Sequence, residues 1–310
     1  MPLEEKPYNT YNHFMKNLIG ERTYKVSIDA GFSCPNRDGT KAFGGCIFCD
    51  ERGSSSRTNP EKTSLKEQII ANIKVRKTRY KAQKFIVYFQ SFTNTYAHVE
   101  KLKELYDEAI IAHPDIVGIS ISTRPDSIDE EKIKLIASYK EKLPYVCVEF
   151  GMQSSHEKTL KLINRNESHV DFVKAIELTQ KYKLNNCAHI ILGLPKETFE
   201  DYLSTADALA KLKVDGVKIH ALAAIENTVL SHMYEKGLWQ PLSLEKYIEA
   251  SLSFIERLPK SCIIHRVSAS GHPQHITAPI WMREKNLNIS KKLEWEFKKK
   301  GSHQGIFCKY

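Results

Sequence analysis

The sequence has no apolar run near the roughly 18 residues that a membrane-spanning helix needs. Its first residues, MPLEEKPYNTYNHF, lack the basic-then-apolar order of a secretory signal. Both absences lead to the expectation of a soluble cytoplasmic protein with no membrane partner. Gly and Pro number only 14 and 12 among 310 residues and no repeat is visible, which excludes a fibre, a repeat array and a largely disordered chain. No GxGxxG follows the first apolar run, which weighs against a dinucleotide-binding sheet. Acidic residues are in deficit, 37 against 46 Lys and Arg, for a formal charge of +9. Such a surplus suits a phosphate-rich partner, and it gathers in two clusters: Lys74, Arg76, Lys77, Arg79, Lys81 and Lys84, then Lys291, Lys292, Lys298, Lys299 and Lys300. Solvated helix faces account for the same clusters equally well.

What is present is a regular alternation. The short β-branched runs TYKVSIDA, KFIVYFQ, DIVGISIS, YVCVEF, CAHIILGL and DGVKIHAL, with CIIHRV as a possible seventh, are separated by segments of helical periodicity. Ser64 to Glu67 and Ser154 to Glu157 fit capping boxes at helix starts. Alternation of this kind predicts parallel strands joined by right-handed crossovers. The fold class expected is α/β, a partial or full (β/α) barrel over residues 21–268, with an N-terminal extension at 1–20. A C-terminal extension at 269–310 is expected to carry a basic helix around Trp281 to Lys300. In such barrels chemistry sits at the strands' C-terminal ends, which directs attention to Asp29, Gln90, Ser122, Glu149, Leu192 and His220. Lys218 and His220, two apart on one strand, face the same side and are candidate catalytic groups for proton or phosphate chemistry, unless one simply pairs with Glu149.

Seven cysteines are an odd number, and three of them, Cys34, Cys46 and Cys49, crowd into CPNRDGTKAFGGCIFC. Cys147, Cys187, Cys262 and Cys308 are scattered singly, a distribution that suits metal binding better than a disulfide framework. Thiolates suit iron–sulfur clusters or zinc. Structural zinc wants four ligands, and no fourth Cys or His lies nearby. Three thiolates on a four-iron cluster would leave one iron open to an exogenous ligand.

The cysteine loop, together with YFQSFTNTYA, STRPD, VEFGMQS with LINR, HIILGLPKET, and KIHAL followed by ENTVL, resembles the YtqA/YhcC-type radical S-adenosylmethionine (SAM) family. The wider resemblance is to the catalytic subunit of elongator and to oxygen-independent coproporphyrinogen dehydrogenase. It implies a radical SAM barrel with a 4Fe-4S cluster on Cys34, Cys46 and Cys49, whose open iron chelates SAM, and Phe48 lying against adenine. Gln90 to Asn94 stands where relatives carry a glycine-rich turn that receives the SAM amino group, with Gln90, Thr93 and Asn94 offering polar groups instead. Ser122 replaces a glutamate that holds the cofactor, and Arg124 offers a guanidinium for a carboxylate or phosphate. Gln153 matches a ribose-binding glutamine, and Arg165 an arginine that meets the SAM carboxylate. Glu149 and His189 are further cofactor-site candidates, His189 standing where the dehydrogenase has an aspartate.

The implied chemistry is reductive cleavage of SAM to a 5′-deoxyadenosyl radical that abstracts hydrogen from the substrate, with a reducing partner such as flavodoxin or ferredoxin. The implied substrate is tRNA: wobble 5-carboxymethylaminomethyl(-2-thio)uridine, converted to the 5-aminomethyl form. Two other readings fit the residues: a radical SAM enzyme on a small molecule, and a zinc-bound RNA-binding module without catalysis. A methylthiotransferase would need a second cluster, which the isolated remaining cysteines do not supply.

Overall fold

A computed structural model describes residues 6–51, 53, 63–268 and 273–310. Its strands are β1 Thr23–Ile28, β2 Lys84–Phe89, β3 Ile116–Thr123, β4 Tyr145–Gln153, β5 Asn185–Leu192, β6 Gly216–Ala221, β7 Ala224–Ile225, β8 Ile263–Arg266 and β9 Ile276–Ala278. The helices are α1 Tyr11–Ile19, α2 Leu65–Tyr80, α3 Val99–Ile111, α4 Glu130–Ser138, α5 Glu157–Leu162, α6 His169–Lys181, α7 Phe199–Lys211, α8 Val229–Glu235, α9 Leu244–Glu256 and α10 Ile289–Lys300. Seven parallel strands form one sheet in the order β1-β2-β3-β4-β5-β6-β8, while β7 and β9 make a separate antiparallel ribbon. The possible seventh strand, CIIHRV, is β8. Its edge and β1 are not paired with each other, so the sheet is an open, curled barrel.

Side chains alternate across each strand, and the two faces have opposite chemistry. Val26, Phe85, Phe89, Ile121, Phe150 and Ile190 point outward into one core shared with the helices. Burying each such side chain contributes about 1.5–3 kcal/mol. The residues between them, among them Lys25, Tyr88, Ser120, Glu149, His189 and Lys218, turn inward and make a polar lumen. The lumen's end nearest the strand starts is apolar and plugged by α1. Met15 is buried there with Ile86, Tyr145, Cys147 and Cys187, and Tyr11 and Phe14 pack at its edge. Helix α1 contacts both edge strands, and the Ile264 amide donates to the Asn9 carbonyl at 2.8 Å, so the N-terminal segment spans the barrel's gap.

Several local expectations need correction. The Ser64–Glu67 capping box forms at α2, but Ser154–Glu157 does not, because the Ser154 hydroxyl is turned to Glu197 and Glu157 accepts from the His169 amide at 2.7 Å. Capping boxes stand instead at Ser168–Asp171 and Thr198–Asp201. The basic C-terminal helix begins at Ile289, not near Trp281, since Ile280–Arg283 is a separate short turn and Asn288 caps α10. The expected boundary at 268/269 abuts residues 269–272, which lie outside the described residues. Lys77 pairs with Asp115, which precedes β3, and Lys300 with Glu256 at the end of α9, ahead of β8, so these parts of the basic clusters sit toward the strand starts, while Lys292 lies near Glu245 at the other end of α9.

If α1 is a true plug of the lumen, Met15→Ala should lower unfolding stability by about 2–4 kcal/mol in urea titrations, the cost of a buried large-to-small change. A loss below about 0.5 kcal/mol would mean that α1 only rests on the sheet.

Candidate active site

The cysteine loop leaves the C-terminal end of β1 and folds back on itself. The Cys34 carbonyl accepts from the Arg37 amide at 2.8 Å, and the Asn36 carbonyl from the Gly45 amide at 2.8 Å. Gly44 and Gly45 take left-handed φ values of 82° and 78°, which a side chain would resist, and so let the chain return toward its start. All three cysteines are free thiols. Each of the paired ones receives N–H groups on sulfur. Asn36 Nδ2 lies 3.8 Å and Arg165 Nη1 3.7 Å from Cys46 Sγ, and Arg37 Nη1 lies 3.5 Å from Cys49 Sγ. Burial, and then the charge of nearby Cys46, push the Cys49 thiol up to about 11, while Arg37 opposes the rise. Neither Asn36 nor Arg37 was singled out in the sequence; their only signal was a place directly after Cys34.

A second loop, Asn164 to Glu167, is stitched to the first. Asn36 Nδ2 donates to the Asn164 carbonyl at 2.6 Å, Asn166 Nδ2 to Asn36 Oδ1 at 2.8 Å, and Asn164 Nδ2 to the Gly45 carbonyl at 2.8 Å. Arg165 also donates through Nη2 to the Gly151 carbonyl at 2.6 Å and through Nε to Glu167 at 2.7 Å. Arg124, expected to take an external anion, is engaged internally through Nε and Nη2, while its Nη1 is buried with no hydrogen-bond partner. It grips Asp126 with two bonds of 2.8 Å, reaches the Arg165 carbonyl at 3.0 Å and lies 3.2 Å from Glu167. Through Nη2 it ties Asp126 to the Arg165 loop.

At the end of β4, Gln153 adopts a left-handed φ of 67°, a strained choice for a residue with a Cβ. A Cβ on Gly151 would meet Gln153 Nε2 at 2.7 Å and Arg165 Nη2 at 3.0 Å, so both side chains lie over that glycine. The two matched residues are thus neighbours in space. After β2, the Thr93 amide is fixed on the Ser33 carbonyl at 3.2 Å, and Asn94 Nδ2 donates to the Ser122 carbonyl at 2.8 Å. Yet Ser91 Oγ, Thr93 Oγ1 and Asn94 Oδ1 are buried without hydrogen-bond partners. Gln90 begins this turn, its amide on the Ile28 carbonyl at 3.3 Å. Phe48 packs against a second apolar cluster that includes Ile191, Leu194 and Leu222.

Glu149, two residues before Gly151 on β4, is fully buried in the lumen. Oε1 accepts from Lys25 and Ser120, and Oε2 from Lys218 and from His189 Nε2 at 2.7 Å. Burial opposes the carboxylate's charge, but Lys218 and Lys25 hold its pKa well below the usual range. The same burial opposes the Lys25 ammonium, and there the Glu149 charge prevails. Lys218 is pushed down to about 8 by burial, with Lys25 adding repulsion against the pull of Glu149. Lys218 also donates to the Tyr88 hydroxyl at 3.1 Å. Ligand atoms of Glu149, Cys187 and His189 lie within 4.8 Å of one another, but two ammonium groups already occupy that carboxylate, which disfavours a further cation. His220 stacks obliquely 5.5 Å from His189, and its Nε2 is buried without a partner. Lys25, Tyr88 and Ser120 were missed in the sequence; strand alternation with Glu149 was the available signal.

Comparison with known proteins fits this geometry. Residues 36–209 match the model of the Radical SAM superfamily, and residues 214–299 that of the Radical_SAM C-terminal domain. The chain therefore belongs to the radical SAM superfamily and is an enzyme of that class. More particularly, it is similar to the uncharacterized protein YtqA of Bacillus subtilis, 38% identical over 304 residues that cover 98% of this chain and 93% of that one. A shorter stretch of 140 residues, 43% of this chain and 25% of the other, is 32% identical to a Methanocaldococcus infernus tRNA uridine(34) acetyltransferase. The fold is that of M. infernus Elp3 at a TM-score of 0.70 and 21% identity, covering 92% of this chain and 64% of that one. No helix among the described residues is long and apolar enough to cross a membrane.

The lumen's histidines make stability depend on pH. His189 is pushed down to about 4, by burial first and by Lys218 next, and burial holds His220 and His265 well below the imidazole range. Unfolded, each takes a proton near pH 6.5. The unfolded chain then binds more protons as pH falls below about 6.5, so stability is lost on acidification, by up to about 1.4 kcal/mol per pH unit for each histidine. Urea midpoints should fall from pH 7 to pH 5, and His220→Asn should make that fall shallower by up to one proton. A profile unchanged by the substitution would mean that His220 is charged in the native lumen.

Proposed function

We propose that Cys34, Cys46 and Cys49 hold a 4Fe-4S cluster with SAM on its open iron, and that the enzyme acts on tRNA. Its reaction in this reading converts wobble 5-carboxymethylaminomethyl(-2-thio)uridine to the 5-aminomethyl form. The observation that carries it is Arg165, one guanidinium that touches a cysteine sulfur, the Gly151 carbonyl and the loop-positioning carboxylate together. Three of its five N–H groups are spent, and two remain for a carboxylate such as that of SAM.

The other residues fit the same cofactor. Ser91 Oγ, Thr93 Oγ1 and Asn94 Oδ1 are orphaned acceptors suited to an ammonium group. The Gln153 amide can read ribose hydroxyls, and Phe48 with Ile191 and Leu194 offers an apolar wall to a purine. The bound cluster and SAM would supply a 5′-deoxyadenosyl radical, after one electron from flavodoxin or ferredoxin, to take a hydrogen atom from the N–CH2 of the carboxymethyl arm; return of one electron to the cluster would leave an imine that water splits into the aminomethyl base and glyoxylate. The protein's share is to orient that bond at the strand ends and to keep water from the radical. The tRNA part rests on the likeness to the uridine(34) acetyltransferase and on the net charge of +9. Exposed Lys161 and Lys196, in the loops and helix that follow β4 and β5, add cations on the strand-end side.

Anaerobic reconstitution should load about four irons and four sulfides per chain, and each single Cys→Ala substitution at 34, 46 or 49 should abolish the cluster. One zinc and no sulfide would end the enzyme reading. Mass spectrometry of tRNA nucleosides from cells lacking the chain should reveal accumulation of the carboxymethylaminomethyl form; an unchanged profile would sink the tRNA assignment. Gly151→Ala, by displacing Gln153 and Arg165, should weaken SAM binding to the reconstituted protein about tenfold or more with the fold intact by circular dichroism, about 1.4 kcal/mol.

A further inference from the structure

The lumen below the cofactor's place carries more positive than negative charge. One carboxylate, Glu149, faces two ammonium groups, Lys25 and Lys218, and the imidazoles around it are His189, His220 and His265. Arg266, the register partner of Lys218 across the sheet, adds further positive charge on that side. Glu149 already accepts four donors, two on each oxygen, so it has no capacity left with which to neutralise a second cation. Lys218 spends two of its three N–H groups, on Glu149 and on the Tyr88 hydroxyl. The His220 Nε2 beside it has no partner at all.

Part of this surplus is open to solvent, although His220 Nε2 is buried. The side chains of Lys25, His189 and Lys218 keep 16%, 14% and 9% of their surface exposed, although all three point inward. It is also adjacent to the cofactor residues, because Gly151, which lies under Gln153 and Arg165, is in register with His189, and His189 with Lys218. An uncompensated buried cation costs free energy, and a monoanion placed against it recovers that cost.

We infer that Lys218, with Lys25 and His220, is the receptor for a carboxylate on the substrate, which anchors the substrate's acidic arm in the lumen beneath the radical's target. The inference rests on the proposed reaction, whose substrate differs from its product by a carboxymethyl group. It makes Lys218 a specificity-determining residue: the substrate's carboxylate is held, and the product, which keeps the amine but has lost the carboxylate, is repelled and released.

The test is equilibrium binding to the reconstituted, SAM-loaded enzyme without reductant. The probes are 5-carboxymethylaminomethyluridine, 5-aminomethyluridine, and the small ions N-methylglycine, acetate and phosphate. Lys218→Met should weaken the carboxylate-bearing nucleoside at least tenfold, Lys25→Met less, and each should leave SAM affinity unchanged. Either single variant keeps Glu149 paired with the remaining lysine, and thermal melts check that the barrel persists. Equal affinity of the two nucleosides, binding unaltered in both lysine variants, preference for phosphate, or no carboxylate binding at all would overturn the inference. Lys218-dependent binding of the small carboxylates together with an unchanged cellular tRNA profile would uphold the lumen receptor and remove only the tRNA reading.

Discussion

The carboxylate of Glu149 is the point on which the barrel closes. It sits on β4 and accepts from Lys25 on β1, Ser120 on β3, His189 on β5 and Lys218 on β6, so five of the seven sheet strands meet at one side chain. Burying a carboxylate costs several kcal/mol, and the cost is offset only where its lone pairs are filled and its charge is met. Without Glu149 the two ammonium groups would face each other in a medium of low polarity. With it, their attraction pulls β1 and β6, which stand on opposite sides of β4, toward the barrel axis.

That constraint dictates what surrounds it. A polar lumen cannot be sealed by packing alone, so the strand-start end is closed by an added element, α1, which carries the apolar Met15 and Phe14 inward where the sheet supplies Ile86 and Tyr145. At the opposite end the parallel strands deliver their loops. There Arg124, Asp126, Arg165 and Glu167 alternate in charge and are almost wholly buried. Such a chain of guanidinium and carboxylate groups positions loops more firmly than it stabilises the fold, because each ion's desolvation consumes most of the attraction.

Periodicity carried the fold. The seven strands follow from β-branched runs such as KFIVYFQ and DIVGISIS, and the parallel order follows from the helices between them. The three cysteines were legible because thiols that close in sequence have few other uses. What stayed hidden depended on long-range contact. Ser154–Glu157 has the spacing of a capping box, but Glu197, 43 residues away from Ser154, takes that hydroxyl. Arg124 has its bidentate partner Asp126 two residues on, within reach of the sequence, but Glu167 and the Arg165 carbonyl come to it from another loop. Lys25 was missed because its partner lies 124 residues on, and only the sheet's register brings the two together.

Arg165 and its neighbours tie the two halves of the site to one another. Asn36, Arg37 and Arg165 aim N–H groups at the sulfurs of Cys46 and Cys49, and donors of this kind stabilise negative charge on thiolate and ease reduction of whatever cluster the sulfurs hold. Arg165 simultaneously rests on Gly151, beside the strained Gln153. In the proposed reading the same guanidinium serves both a cluster thiolate and the cofactor's seat; its loop is fastened by three asparagines, Asn36, Asn164 and Asn166, and clasped from behind by Arg124. Precision at this junction requires a rigid loop. The sequence meets that requirement with short amide side chains, which hold backbone carbonyls and each other at 2.6–2.8 Å without any net charge to disturb the sulfurs.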